Sequence, residues 1–417
     1  MATTISRQVV VVGAGFAGVA VAQHLARKGI EVLVVDKNNY HQFQPLLYQV
    51  ATSQIGISEV ARPLRGIFRR SRSVRVVVAE ASAVDATART VTLADGTVCH
   101  AQILVMALGA EVNFFGTPGA EEHAFPLYSL DDAARLGSAL IGELDRADLA
   151  ADSAMGLDVI VVGAGATGVE VAGALAENLQ LVVRRVYPHQ QTGTVHLVDM
   201  VDVVLGPFSA KSQRYATERL TDYGVRLHLG SGVTEVRPDG VTLADGSVIE
   251  GRIVIWAGGL QGNALLRGSG LPQGRGGRVD VAPDLTVPGF DGVYVLGDSA
   301  NITDAKDRKL PQLGSVAQQS GKWAARNIHA DLSGGARAPF AYRDKGIMAM
   351  VGRGAAVAEL GTRRLQFQGP PAFLAWLGVH AALLSGVWQR VGAVASWSVA
   401  FLTSHRPQAV LPRIGQR

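Results

Sequence analysis

Residues 9–26 read VVVVGAGFAGVAVAQHLA, and residues 159–176 read VIVVGAGATGVEVAGALA. Each run opens on four β-branched residues, breaks at Gly-Ala-Gly and continues into an alanine-rich stretch, which predicts a buried strand, a tight turn and a helix. The spacing is that of a dinucleotide-binding loop, met twice: Gly13, Gly15 and Gly18, then Gly163, Gly165 and Gly168. The first glycine of such a loop permits the turn, the second lets the backbone approach a pyrophosphate, and the third lets the helix pack closely on its strand. The free N–H groups at the helix N-terminus then face the negative charge. Two loops in one chain imply two bound dinucleotides.

The duplication extends beyond the glycines. TLADGTV begins at Thr92 and TLADGSV at Thr242, while VMALG from Val105 is answered by IWAGG from Ile255, and both pairs share the 150-residue offset of the loops. Self-similarity on this scale predicts a duplicated domain. Strands as uniformly apolar as VVVV and VIVV are covered on both faces, so both copies are expected to be parallel α/β sheets.

Within the first loop, Ala14, Phe16 and Ala17 surround the glycines, and the next strand, EVLVVDKN, ends in Asp36 and Lys37. Asp36 stands 23 residues beyond Gly13, near the interval of roughly 20 expected for the acid that hydrogen-bonds a ribose. In the second loop, Ala166 and Thr167 take the corresponding places. The segment LVVRRVYPHQQTG delays the acid to Asp199, 36 residues past Gly163. A carboxylate there repels a 2′-phosphate and favours NADH; Arg184 or Arg185 swinging in to accept NADPH is the alternative.

With 417 residues, 48% hydrophobic and only 18% charged, the chain has ample core for two or three domains and lies at the apolar end of soluble composition. A net charge of +4 without a long basic block argues against nucleic acid. One cluster stands out: Arg62, Arg65, Arg69, Arg70, Arg72 and Arg75. It reads either as a solvated helix face and turn or as a contact for acidic lipid headgroups. The single cysteine, Cys99, gives no disulfide framework, CxxC pair or metal knuckle, and a reducing setting is expected. No metal is expected. The N-terminus passes straight into the first strand without the features of a signal peptide, so the protein is expected to stay inside the cell.

GFDGVYVLGDSA, ending in Gly297, Asp298, Ser299 and Ala300, resembles the segment by which two-dinucleotide flavoproteins similar to glutathione reductase hold the flavin ribityl chain. That resemblance implies a discontinuous FAD domain at 1–117 and 280–333 with an NADH domain at 118–279 inserted in it, which leaves 334–417 as a C-terminal region. Disulfide reductases and their thiol-dependent relatives, sulfide:quinone oxidoreductases included, need cysteines that NNYHQFQPLLYQVATS (38–53) lacks.

Nearly the whole chain resembles the type II NADH:quinone oxidoreductases. The resemblance is carried by HQFQPLLYQVAT from His41, IWAGG from Ile255, LGDSA from Leu296 and PQLGSVAQQSGKWAARNI from Pro311. It continues in FAYRDKGIMAMVGRGAAV from Phe340 and PAFLAWLGVH from Pro371. It implies a non-covalent FAD, NADH as co-substrate, hydride transfer to the flavin and two-electron reduction of a quinone (menaquinone or ubiquinone), without proton pumping. It also implies that Pro45, Leu46 and Leu47 shape the flavin pocket and that Ala107, Leu108 and Gly109 line the FAD pyrophosphate. Relatives carry Thr where this chain has Leu108, so a hydroxyl is missing there. Ala257 and Gly258 are the matching positions beside NADH. Gln318, next to Ala317, falls beside the isoalloxazine and quinone headgroup, where an amide supplies a hydrogen bond without formal charge. Glu170 falls near the nicotinamide, to orient it or to supply a proton; the alternative is a first-turn acid favouring the helix dipole.

The last stretch, PPAFLAWLGVHAALLSGVWQ (370–389) followed by VGAVASWSVAFLTS (391–404), is apolar but interrupted by prolines, glycines and His380. Its pieces suit a pair of helices lying in the membrane interface, with Phe373, Trp376, Trp388 and Trp397 as interfacial aromatics. Burial in a dimer or core and a hairpin through the bilayer are the alternatives. The resemblance implies that 334–417 is a C-terminal quinone-site and membrane-anchoring region of a peripheral, monotopic protein on the cytoplasmic face of the cell membrane, and it leaves open a homodimer. Two other functions stay open: a soluble NADH-dependent reductase of an electron-carrier protein, and a low-turnover regulatory flavoprotein.

Overall fold

The computed structural model of the chain describes residues 3–149, 156–187, 193–304, 306, 308–403, 406, 408 and 409. Part of the loop before Asp199 (188–192) and most of residues 404–417 lie outside the described residues. The chain forms two compact units: Met1–Gln42, Arg62–Glu111 and Leu260–Arg343 make the first, and Phe43–Ala61, Val112–Gly259 and Asp344–Arg417 the second.

The first unit is built on a sheet whose strand order, among the described residues, is Thr286–Val287, Phe290–Val295, Val98–Met106, Thr4–Val12, Val32–Asp36, Val74–Val78. All its central pairings are parallel. Val9 to Val12 and Val32 to Val35 are buried on both faces, which is why an unbroken valine run forms a central strand here. The chain leaves Thr4–Val12 through the first glycine helix (Phe16–Ala26) to reach Val32–Asp36 on one side, and Val98–Met106 pairs on the other. The glycine loop therefore sits at the C-terminal end of the strand where the order reverses, the position at which open α/β sheets leave a ligand crevice.

The second unit repeats the device. Its parallel sheet has the order Ala124–Pro126, Ile253–Trp256, Val159–Val162, Val195–Asp199, Arg226–Leu229, and the second glycine helix (Ala166–Asn178) leaves Val159–Val162 at the corresponding switch. The same unit holds an antiparallel sheet of Gly346–Gly352, Ala355–Leu360 and Leu365–Gln368. Helices Pro370–Leu383 and Val387–Thr403 follow it.

These units divide the chain differently from the segments expected from sequence. Phe43–Ala61, within the expected first FAD segment, belongs to the second unit with its helix Leu47–Ala51. Leu260–Arg343 belongs as a whole to the first, and residues from Asp344 onward join the second.

Candidate functional site

In the first unit the loop residues converge on the end of strand Thr4–Val12. Gly13 has φ +96°, and a Cβ there would run into the Ala107 carbonyl; a Cβ on Gly18 would strike the carbonyl of Gly13. At Gly15 a Cβ would meet nothing, so the space in front of the helix N-terminus is open. No acidic residue occupies the first turn of this helix and no side chain caps it, leaving its N–H groups available to a phosphate. Asp36 closes the loop from the side: Oδ2 accepts from the Ala14 N–H at 2.6 Å and Oδ1 from the Asn38 N–H at 2.7 Å. Burial raises its pKa, opposed by those two hydrogen bonds and by Lys37, which is exposed. Each carboxylate oxygen still has a lone pair for a ribose hydroxyl.

The remaining expected residues of this unit gather around the same loop. Gly297, at φ +63°, lies where a Cβ would press on the methyl groups of Ala317 (3.2 Å) and Ala17 (3.4 Å). Its N–H donates to Ser320 Oγ at 3.2 Å. Ser299 donates to the Gly109 carbonyl at 2.9 Å, and Gln312 to the Asp298 carbonyl at 3.3 Å. Leu108 and Gln318 are half-buried, the latter on helix Gly314–Leu332. Sequence reasoning assigned no role to His41. Buried, it donates from Nδ1 to the Ala14 carbonyl at 3.0 Å and stands edge-on to Phe16. A carbonyl can only accept, which fixes the tautomer, and burial lowers the pKa so that the ring stays neutral.

The second unit holds a near copy. Gly163 has φ +104° and backs onto Ala257 and Gly258. Gly168 backs onto the Gly163 carbonyl, and Gly165 is open. The Ala164 N–H donates to Asp199 Oδ2 at 2.5 Å, and the Val201 N–H to Oδ1 at 3.0 Å. Gly165, Ala166 and Thr167 are exposed at the helix start, which has no side-chain cap. Both cradles have the shape, open space and ribose-side carboxylate that a dinucleotide pyrophosphate requires, so the chain's residues fit FAD and NADH.

Glu170 does not lie in the first turn of its helix, so the dipole reading expected as an alternative lacks its geometry. It is buried, and Oε1 accepts from the Met350 N–H at 3.1 Å and from Trp376 Nε1 at 3.2 Å. Burial pushes its pKa up to about 8 despite those two donors. Trp376 stacks on His380 with ring centroids 3.8 Å apart, and burial takes the His380 pKa down to about 4. A second chain of contacts runs beside it: Trp397 Nε1 donates to Gln49 Oε1 at 2.7 Å, and Gln49 Nε2 to the Tyr48 hydroxyl at 3.0 Å. A small cavity touches Tyr48, Gln49, Glu170, Glu177 and Phe373. Pro45, Leu46 and Leu47 precede this region in the chain, and Leu46 and Leu47 are buried.

The interfacial role expected for the C-terminal aromatics needs correction. Phe373, Trp376 and Trp397 are buried within the second unit, Trp376 completely: the Trp376 indole donates to Glu170 and stacks on His380, the Trp397 indole donates to Gln49, and Phe373 stands edge-on to Phe401. Only Trp388 of the four is outward, at 83% exposure. The outward face is mostly aliphatic: Leu374, Leu383, Val387, Val391 and Leu402 are all exposed. Among the described residues no helix is long and apolar enough to cross a membrane, and none of the His, Cys, Asp and Glu side chains group into a candidate metal site.

Comparison with known proteins places this geometry in a family. The model of the pyridine nucleotide-disulphide oxidoreductases matches residues 7–321. The type II NADH:quinone oxidoreductase Ndh of Mycobacterium tuberculosis is 35% identical over 97% of this chain and 90% of its own length. The type II NADH:quinone oxidoreductase of Staphylococcus haemolyticus is 28% identical over 83% of this chain and 88% of its own. The solved structure of NDH2 from Plasmodium falciparum in complex with NADH shares the fold, with a TM-score of 0.86 at 17% identity, covering 96% of this chain and 99% of that one. Sequence and fold agree with the paired glycine cradles: the chain belongs to the type II NADH:quinone oxidoreductases, within the pyridine nucleotide-disulphide oxidoreductase family.

Proposed function

We propose that this chain oxidises NADH and reduces a membrane quinone through a bound FAD, without proton translocation. The observation that carries this reading is the pair of intact glycine cradles, each closed by a carboxylate, in a chain of this family. FAD, when bound, takes a hydride from NADH and passes two electrons on to the quinone.

The protein's part is binding and orientation. The first cradle, with Gly13, Gly15, Gly18, Asp36, Ala107, Gly109, Gly297 and Asp298, holds the flavin nucleotide, so the unit of 1–42, 62–111 and 260–343 serves as the FAD domain. The second, with Gly163, Gly165, Gly168, Asp199, Ala257 and Gly258, holds NADH within residues 112–259 of the second unit. Asp199 already accepts two backbone N–H bonds, and its charge disfavours a 2′-phosphate, which makes NADH the donor. Pro45 borders the flavin and the Gln318 amide donates toward the quinone carbonyl, where charge develops. Glu170, largely protonated at neutral pH with a pKa of about 8, has a proton to give when the quinone is reduced.

The outward aliphatic face of Pro370–Leu383 and Val387–Thr403, with Trp388 on it, supports a peripheral attachment to the bilayer surface; the cytoplasmic side is proposed because NADH is supplied there. The test is NADH-dependent reduction of a short-chain quinone by purified protein, compared with NADPH and with and without liposomes. Turnover with NADH that liposomes raise for a long-chain quinone is expected. A flavin-containing protein that oxidises NADH but leaves every quinone untouched would instead favour a reductase of a carrier protein.

A further inference from the structure

Between Glu59 and Glu80 the chain carries six arginines and no acidic residue. Its conformation there is set by apolar anchors. Leu64 and Phe68, at i and i+4 of the short helix Leu64–Phe68, are buried, which turns Arg65 and Arg69 outward on the neighbouring face. Arg70 and Arg72 follow in the turn and are also exposed. Among the described residues, none of these four forms an ion pair with a carboxylate. Arg75 is exposed too, but it sits on strand Val74–Val78 at the edge of the sheet, where a cation has the separate use of discouraging edge pairing. A surface arginine kept for solubility is ordinarily mixed with acids; this strip is unmixed and uncompensated.

The strip is joined directly to the segment that carries the outward apolar helix. Gln389, on Val387–Thr403, donates to the carbonyls of Ser58 and Ala61 at 3.4 Å each, and Glu59 packs against Gly392. Arg62 is the next residue after Ala61. One stretch of chain thus passes from a contact with the exposed Val387, Trp388 and Val391 helix into four exposed, unpaired arginines.

We propose that Arg65, Arg69, Arg70 and Arg72 form a docking surface for the phosphate headgroups of an anionic lipid bilayer. This rests on the membrane reading of the C-terminal helices and adds a lipid selectivity to it. Each arginine at such a surface contributes about fivefold in affinity, less as salt rises.

The test is sedimentation of the full FAD-loaded protein with vesicles of phosphatidylcholine alone or mixed with phosphatidylglycerol, at two salt concentrations. Wild type is compared with the combined variant Arg65→Gln, Arg69→Gln, Arg70→Gln, Arg72→Gln and with Trp388→Ser, Leu402→Ser. Reduction of a short-chain quinone by NADH checks that each variant is folded. Wild type should prefer the anionic vesicles by about tenfold or more at low salt. The arginine variant should lose that preference while keeping its residual hold on neutral vesicles, and the serine variant should weaken on both. An arginine variant that keeps the wild-type preference overturns the proposal, as does a wild type that binds both vesicles equally; the membrane reading survives either result. Wild type that binds neither vesicle removes both. Loss of single-stranded DNA binding in the arginine variant, with vesicle binding unchanged, would assign the strip to a different polyanion and also overturn it.

Discussion

The two glycine helices occupy the same place in their units, yet they bury different chemistry. Both start from a glycine with strongly positive φ, and both loops are tied by a backbone N–H to an aspartate on the next strand, Ala14 to Asp36 and Ala164 to Asp199. At the 150-residue offset, however, Glu170 of the second helix matches Ala20 of the first. Ala20 is buried against helix Gly314–Leu332, near enough to Gly321 that a Cβ there would come within 3.0 Å of its methyl. Glu170 is buried among donors instead, and Gly173, the counterpart of Gln23, lets the helix approach the carbonyl of Val351. Glu177, the counterpart of the exposed Arg27, pairs with Arg406 in a bridge whose side chains are 4% and 5% exposed. The loop is thus a reusable binding device, whereas the helix behind it is free to diverge: one copy became an apolar support and the other a site for a proton.

Copying the second helix into the first should break the comparison most severely. Ala20→Glu places a carboxylate in an apolar contact without donors, at a cost on the order of 5 kcal/mol, and the purified protein should be unfolded or free of flavin. A stable yellow Ala20→Glu protein would show that the first helix tolerates what the second requires. Next in size is Arg406→Met, which leaves Glu177 as a buried charge without its partner; a loss of about 3–5 kcal/mol is expected in urea unfolding. Arg406 Nε also donates to Asn178 at 3.0 Å, so exchange of amide hydrogens at the end of the second glycine helix should quicken, with the first helix unaffected.

The pH response of Glu170 sharpens the contrast further. Its folded pKa of about 8 lies above the ordinary carboxyl value of 4.5. Between those values the folded protein binds a proton that the unfolded chain has released, so this group makes stability fall as pH rises across that window. Glu170→Gln removes the dependence. The variant should gain on wild type by about 2–4 kcal/mol from pH 5 to pH 8, read as a growing difference in Tm, while quinone turnover drops. A constant difference across that range would mean that the carboxyl titrates normally. The smallest effects expected are those that separate the two loops by cofactor. Asp36→Asn should weaken FAD retention, and Asp199→Asn should raise the KM for NADH, each by about tenfold, or roughly 1.4 kcal/mol. Flavin content in the second variant should be unchanged.

How much of this was legible beforehand follows the range of the interactions. The loops announced themselves because a positive-φ turn and a close helix approach demand glycine at fixed local spacing, and Asp36 and Asp199 end the very next strands. The surroundings of Glu170 were not legible, since its donors, Met350 and Trp376, lie 180 and 206 residues away, and only the fold brings them in. For the same reason Phe373, Trp376 and Trp397 read as interfacial residues. A helix apolar on nearly every side has no periodicity to mark its inner face, and their partners decide the matter: Glu170 and His380 for Trp376, Gln49 for Trp397 and Phe401 for Phe373. His41 was visible only as part of a family block, because its role depends on one backbone carbonyl, that of Ala14.

The central claim is that the two cradles hold two different nucleotides working in series, and anaerobic stopped-flow absorbance tests it most directly. Mixing the purified protein with NADH should bleach the flavin band within the time of a turnover, and a short-chain quinone added next should restore it. Asp199→Asn should slow only the bleaching at subsaturating NADH. A flavin band unchanged by NADH, or one reduced by NADH that no quinone restores, would contradict the account.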